Sequence, residues 1–350
     1  MNKHPQDRVV VLDALTYAGN RETLSLAERN QNFRFISGDI KDYDLVKETL
    51  IEEGLDIIVH FAAESHVDRS ILGPDTFVET NIVGTHSLLK AAKAVWLDGP
   101  NSSGWKLHRF HHVSTDEVYG SLMVGDPPFT ETSHYSPNSP YAASKAAADH
   151  LVRAYCHTYG LNVTISNCSN NYGPYQYPEK LIPLMISNAL EGKPLPIYGD
   201  GRNIRDWLYV EDHCHGIGII LEKGKVGETY NIGGNSEKTN LDLVETLCQI
   251  FDEKRPASTY RPHRSLITFV KDRPGHDRRY AIDASKMEKE LGWRPEHPFE
   301  KAVEETVDWY LTHPDWVSSV MSRDYQDWIK VNYEGRIHHP VKSKKSPIGA

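Results

Sequence analysis

Cysteine is scarce in this chain. Four occur in 350 residues, Cys156, Cys168, Cys214 and Cys248, far apart and without a Cys-x-x-Cys pair. That spacing argues against both a disulfide framework and a cysteine-bound zinc. Histidines are numerous but scattered, and His111-His112 sits in an apolar strand context without metal-ligand spacing, so no metal is expected. Long hydrophobic runs are missing too. No stretch approaches the ~20 apolar residues of a membrane helix, and Met1–Arg8 has no apolar signal core. A cytoplasmic address with no membrane partner is the expectation. Positive charge is in deficit, 39 Lys and Arg against 48 Asp and Glu for a formal net charge of −9. That balance argues against nucleic acid as the main partner. An anionic small ligand would need a local basic patch.

Short β-rich runs are present and regularly spaced. They are Val9–Leu12, Phe33–Ile36, Asp56–Phe61, Arg109–Val113 and Asn162–Ser166. Segments of helical period separate them, at Tyr43–Glu53, Phe77–Trp96, Pro140–Tyr159 and Pro178–Leu190. This alternation predicts an α/β protein with a parallel, doubly wound sheet. Polar or small residues follow each run: Asp13, Asp39, Ala63-Glu64-Ser65, Thr115-Asp116-Glu117 and Asn170. In such sheets ligands bind at the carboxyl ends of the strands. After about residue 170 proline and glycine thicken and basic and aromatic residues interleave, which predicts a second, smaller lobe. The expected division is residues 1–170 with about 205–235 for the dinucleotide-binding part, and about 171–204 with 236–335 for a mixed substrate-binding lobe. The Lys-, Pro- and Ser-rich end, 336–350, is expected to be a frayed tail.

Tyr141-Ala142-Ala143-Ser144-Lys145 opens a predicted helix, and positions four apart share a face, which brings Lys145 beside the Tyr141 hydroxyl. A nearby ammonium favours a phenolate able to take a proton from a hydroxyl. A surface Tyr/Lys pair has the same spacing. Ser114-Thr115-Asp116-Glu117-Val118-Tyr119-Gly120, at the end of a strand, shifts the balance toward chemistry. Thr115 can bond the same oxygen that Tyr141 deprotonates. Adjacent carboxyls tend to hold split pKa values, so Asp116 and Glu117 can divide acid and base roles. Asp13, ending the first strand, suits two ribose hydroxyls and hence NAD, although a cap or turn role is the commoner use of such an aspartate.

Thr115-Asp116-Glu117 with Tyr141 and Lys145 resembles the extended short-chain dehydrogenase/reductases, whose sheet is of the Rossmann type. Within them the chain is most similar to the dTDP-glucose 4,6-dehydratases. Further similar stretches are Leu15–Asn20, Ala62–Ser70, Asn167–Pro174, Arg205–Val210 and Asp272–Arg279, so the likeness spans roughly residues 7–335. The resemblance implies a hydro-lyase that uses NAD. Tyr141, supported by Thr115 and Lys145, starts oxidation at C4 of the glucose. Glu117 removes the C5 proton, and Asp116 protonates the C6 hydroxyl as it leaves. It implies cofactor contacts from Asp13, Ala14, Leu15, Thr16, Asp39, Ile40, Ala62, Ala63, Ser65, Thr80, Tyr141, Lys145 and Asn171. It also implies substrate contacts from Ser65, Thr115, Asn170, Glu179, Lys180, Leu181, Pro196, Tyr198, Arg205, Asn240, Asp272, Arg273 and His276, among them the basic patch that an anionic nucleotide needs. A homodimer joined through helices near Thr80–Trp96 and Tyr141–Tyr159 is part of the same expectation. A nucleotide-sugar 4-epimerase or an inactive nucleotide-sugar-binding homologue are the alternatives.

One element of the pattern is missing. A dinucleotide fold opens with a strand and a glycine-rich turn that lets a helix N-terminus approach the pyrophosphate. No Gly-x-x-Gly-x-x-Gly or Gly-x-Gly-x-x-Gly occurs here. Relative to the family pattern, about twenty residues are expected to be absent, namely the first strand, the turn and most of the first helix. A coding start placed too far downstream is the favoured explanation over a real truncation.

Overall fold

The structure, a computed structural model, describes residues 4–99, 108–321 and 328–334. Two parallel strands come first, β1 (Val9–Asp13) and β2 (Phe33–Ser37), with Val9 opposite Phe33. Helix α1 (Tyr43–Glu52) starts on Asp42, whose carboxylate accepts the Leu45 N–H at 3.1 Å. Then come β3 (Ile57–His60), α2 (Val67–Leu72), the single turn α3 (Asp75–Phe77) and α4 (Thr85–Trp96). The run β4 (Arg109–Thr115), α5 (Pro140–Tyr159), β5 (Val163–Cys168) follows. The chain continues through β6 (Asn170–Tyr172), α6 (Leu181–Glu191), β7 (Leu195–Tyr198), β8 (Ile204–Tyr209), α7 (Val210–Lys223) and β9 (Thr229–Ile232). It closes with β10 (Glu237–Thr239), α8 (Asn240–Lys254), β11 (Ile267–Val270), α9 (Phe299–Thr312) and α10 (Pro314–Val320). The tail expected at 336–350 lies outside the described residues.

Among the described residues the doubly wound sheet comes in two pieces. One is β1-β2 and the other is β3-β4-β5-β9, parallel throughout. Leu12 of β1 and Ile58 of β3 pack against one core with Val46 and Leu50 of α1 and Leu88, Leu89 and Trp96 of α4, so the two pieces share a helical layer. Yet β1 makes no ladder to β3. Ile57 and Phe61, on and just beyond β3, are 45% and 58% exposed, which marks that edge as open. The sheet is thus interrupted between β1 and β3 among the described residues.

The central strands of the larger piece, β4 and β5, are largely buried, as the interior of a parallel sheet requires. Phe110 and Ile165 are sealed in it, each worth about 1.5–3 kcal/mol of apolar burial. A second core gathers Ile182, Leu184, Leu243, Leu247, Phe251, Phe299, Val303 and Tyr310 from α6, α8 and α9. Two small sheets, β10-β8-β6 and β11-β7, lie among these helices.

Two helices depart from the sequence reading. The stretch expected as one helix over 77–96 contains a π-helical segment at Val78–Gly84. The wider winding serves Asn81. Its amide brackets the backbone of Glu64 at 2.8 and 2.9 Å and donates to Ser144 Oγ at 2.8 Å, tying the loop after β3 to α5. The helix expected from Pro178 starts at Leu181, because Lys180 is extended (φ −81°, ψ 156°).

Candidate active site

Strand β4 delivers Ser114 and Thr115 to its carboxyl end, both buried. Thr115 then caps a 3₁₀ turn, Asp116–Tyr119, by accepting the Glu117 N–H at 3.2 Å. Gly120 ends that turn at φ +94°, where a Cβ would strike the Ser136 carbonyl oxygen at 2.4 Å, so no other residue fits. The turn therefore presents two consecutive carboxyls in fixed directions. Asp116 Oδ2 and Glu117 Oε2 are buried and have no hydrogen-bond partner. Buried polar atoms are normally satisfied, so the pair is shaped for a polar guest.

The two carboxyls are not equivalent. Burial, then the neighbouring Glu117 and Asp206, pushes Asp116 well above the ordinary aspartate range. Burial also raises Glu117, but Arg273, Arg205 and Lys180 pull it back toward its ionised form. One carboxyl is thus held as an acid and its neighbour is offset toward the base, the division that elimination needs.

Helix α5 places the next group. Ser139 caps it by accepting the Ala142 N–H at 3.1 Å, and Pro140 opens its first turn. Tyr141 follows, in edge contact with Phe77 at 6.3 Å between ring centroids. Burial, then Glu117, raises the Tyr141 hydroxyl well above its usual value, and a hydrogen bond with Thr115 pulls it down. The hydrogen bond the structure gives Lys145 is to the strand and not to the phenol. The fully buried ammonium donates to the Val113 carbonyl at 2.8 Å, and burial lowers its pKa. The buried cation is thus tied to a β4 carbonyl, at the base of the layer that carries Thr115 and Tyr141.

Behind this layer Asp149, one turn beyond Lys145, accepts Ser114 Oγ and the Tyr135 hydroxyl, each at 2.9 Å, and lies 3.2 Å from His112 Nε2. Burial pushes it up to about 6.

The basic patch faces Glu117. Arg205 is buried, stacks over the Tyr280 ring at 4.2 Å and donates to the Ile204 and Asp277 carbonyls. Arg273 lies 3.7 Å from Asp68, and its buried Nε lacks a hydrogen-bond partner. Lys180 donates to the Ser65 carbonyl at 2.8 Å. Asp272 holds His276 Nδ1 at 2.6 Å. The Tyr198 hydroxyl donates to Asp68 at 2.9 Å. Glu179 is already engaged, accepting from Tyr17 and Arg69 at 3.0 Å each. Asn170 and Asn240 each keep a buried carbonyl oxygen without a hydrogen-bond partner. Pro196 is buried on β7, and Leu181 opens α6.

The residues read as dinucleotide contacts are more dispersed. Asp13, Ala14, Leu15 and Thr16 are exposed beyond the tip of β1, where Asp13 accepts the Leu15 N–H at 2.7 Å and Leu15 takes φ +47°. Asp39 follows β2, and Ile40 is buried beneath Gly84. Ala62, Ala63 and Ser65 follow β3, and Thr80 lies in the π-helical segment. Asn171 is tied to His213 at 2.9 Å. Carboxylates at the ends of neighbouring strands suit the adenosine end of a dinucleotide, and the Tyr141 pocket suits the other end. No described residue supplies a glycine cradle between them.

The sequence reading assigned no roles to Asp68, Asp206, Tyr280 and Asp149. Asp68 and Asp206 lie inside stretches already quoted for their resemblance, next to Arg69 and Arg205, and a carboxylate beside an arginine in such a stretch was the available signal.

A family model described as GDP-mannose 4,6 dehydratase matches residues 2–306. A curated dTDP-glucose 4,6-dehydratase of Xanthomonas campestris is 57% identical over 91% of this chain and 90% of its own length. Among solved structures, a dTDP-glucose 4,6-dehydratase of Streptomyces venezuelae with NAD bound is similar at TM-score 0.81 and 48% identity, covering 90% of each chain. A UDP-glucose 4-epimerase of Thermotoga maritima shares the fold at TM-score 0.77 and 26% identity, over 89% of this chain and 94% of its own. The chain belongs to the nucleotide-sugar 4,6-dehydratases, in the branch of the dTDP-glucose 4,6-dehydratases.

Proposed function

We propose that this protein dehydrates dTDP-glucose to dTDP-4-keto-6-deoxyglucose with NAD as a resident cofactor. The observation that carries the reading is the turn Asp116–Tyr119, which sets two buried carboxyls side by side, Asp116 raised well above its usual range and Glu117 raised but drawn back by Arg273, Arg205 and Lys180. An epimerase has no use for that pair.

Asp13 would hold the adenosine ribose, Asp39 and Ile40 the adenine, and Ala62, Ala63, Ser65, Thr80 and Asn171 the remainder of the dinucleotide. Bound NAD would accept the C4 hydride and, after water is lost, would give it back to C6 while C5 is reprotonated, and its positive nicotinamide would favour the phenolate. Tyr141, bonded to Thr115, takes the proton of the C4 hydroxyl. A ketone at C4 acidifies C5, and Glu117 removes the C5 proton. Asp116 gives its proton to the C6 hydroxyl, which leaves as water. Arg205, Arg273 and His276 grip the diphosphate, where guanidinium forks suit phosphate oxygens. Asn170, Glu179, Lys180, Leu181, Pro196, Tyr198, Asn240 and Asp272 complete the pocket around the nucleotide-sugar. In this reading residues 1–170 with about 205–235 hold the cofactor, and about 171–204 with 236–335 hold the sugar nucleotide. The protein works in the cytoplasm as a homodimer joined through α4 and α5. No helix among the described residues is long and apolar enough to cross a membrane.

Incubation with dTDP-glucose and NAD is the test. Formation of a 4-keto-6-deoxy sugar, read by its ultraviolet band in alkali, supports the reading. Interconversion of dTDP-glucose and dTDP-galactose without loss of water would replace it with the epimerase.

A further inference from the structure

The turn Lys330–Glu334 and the residues just before it lie against the basic pocket. Tyr333 stacks on Tyr198 with the rings only 11° from parallel and 5.7 Å between centroids. Asn332 is buried at 2% exposure, and its amide donates to the Tyr198 hydroxyl at 3.0 Å and to Asp68 at 3.4 Å. Trp328 packs edge-on against His66 at 5.6 Å, and the Arg69 guanidinium lies 4.2 Å over its ring. Asp68 is the hub: it takes Tyr198 and Asn332 on one oxygen and faces Arg273 with the other. The same Arg273 has the buried Nε without a hydrogen-bond partner and acts on Glu117. A line of contacts therefore runs from this turn to the catalytic carboxyl through groups read as diphosphate contacts.

We propose that Tyr333 is a nucleotide-binding residue, which with Tyr198 forms a two-ring clamp for the nucleobase, and that Asn332 on Asp68 holds the clamp in register with Arg273. The inference rests on the nucleotide-sugar reading above. Arg273 and His276 fix the diphosphate beside Tyr198, whose ring meets the edge of His276 at 6.0 Å. A base attached to that diphosphate has the Tyr198 ring within reach. A planar base between two rings sets them about 7 Å apart, two van der Waals spacings. Tyr333 therefore moves outward to admit the base and rests on its far face. Stacking of this kind tolerates every base, because each has a π face. The choice of base is left to groups at its edge, and the clamp supplies affinity.

Calorimetric titration of the full chain with dTDP and, separately, with inorganic pyrophosphate tests the clamp. In Tyr333→Ala the dTDP affinity falls about tenfold, the scale of losing one aromatic stacking partner. Tyr333→Phe keeps the ring and stays within about twofold of the unaltered chain. Pyrophosphate, which has no base, binds all three alike. Unchanged or tighter dTDP binding by Tyr333→Ala overturns the proposal, since the ring would then only cover the pocket. Parallel loss of dTDP and pyrophosphate overturns it too, by showing a general structural role. If the unaltered chain binds pyrophosphate but gains nothing from the nucleoside of dTDP, the nucleotide-sugar reading fails and takes the clamp with it.

Discussion

The two pieces of the sheet carry different work on different foundations. In β3-β4-β5-β9 the central strands are almost wholly buried, and the acid, the base and the phenol stand at or near their carboxyl ends. In β1-β2 every residue is partly or fully exposed, and Asp13, proposed for the ribose, sits on an exposed tip. The chemical groups are held by a close-packed interior with little freedom to relax. The proposed cofactor contacts rest on one ladder and a shared helical layer. Chemistry and cofactor affinity are therefore separable properties of this chain, and each can fail without the other.

The largest expected effect isolates the rigid piece. Glu117→Gln should lower water loss by on the order of 10²–10⁴-fold, with oxidation at C4 preserved. Reduced nicotinamide would then accumulate without the keto-deoxy product. Full turnover by this variant would remove Glu117 from the base role. Next in size is a stability contrast. Ile165→Ala in β5 should cost about 2–5 kcal/mol, whereas Val11→Ala in β1, only partly buried, should cost about 1 kcal/mol or less. Urea unfolding followed by circular dichroism measures both, and equal costs would erase the distinction between the pieces.

The pH dependence is a third, smaller handle. Asp116 acts protonated and its folded pKa is raised, so water loss persists above the usual aspartate range and declines as pH rises through that raised value. Glu117 acts ionised and is also raised, so the rate falls as pH drops through a value above the usual glutamate range. The profile is a bell, with roughly tenfold loss per pH unit on each limb. Asp116→Asn should abolish the alkaline limb, and a limb that persists would belong to another group. The smallest effect concerns the open edge. Phe61→Ser should change the unfolding midpoint by no more than about 0.5 kcal/mol in equivalent terms. A loss of several kcal/mol would mean that this edge is packed after all.

Much of the sheet is legible in the sequence because β4, β5 and β3 are short apolar runs bounded by polar residues, and that pattern is local. Helix α5 is legible to the residue for the same reason: Ser139, Pro140 and Gly160 mark its ends. The catalytic turn is legible as a motif, and its division of labour is not. Asp116 rises partly through Asp206, ninety positions away, and Glu117 is restrained by Arg273 and Lys180 from other elements. The π-helical segment leaves the hydrophobic period almost unchanged, so only the Asn81 contacts reveal it. The hydrogen bond that takes Lys145 to Val113 rather than to Tyr141 depends on how α5 sits on β4, which spacing along one helix does not report.

The interrupted sheet has a consequence for handling the protein. Among the described residues the facing edges of β1 and β3 have no ladder partner, and such edges are a template for any extended chain that reaches them. The most abundant candidate in a concentrated preparation is another molecule of the same protein. Light scattering should then rise with concentration and fall when a short, strand-forming peptide is added in excess. The colloidal behaviour of a solution becomes a readout of two open strand edges.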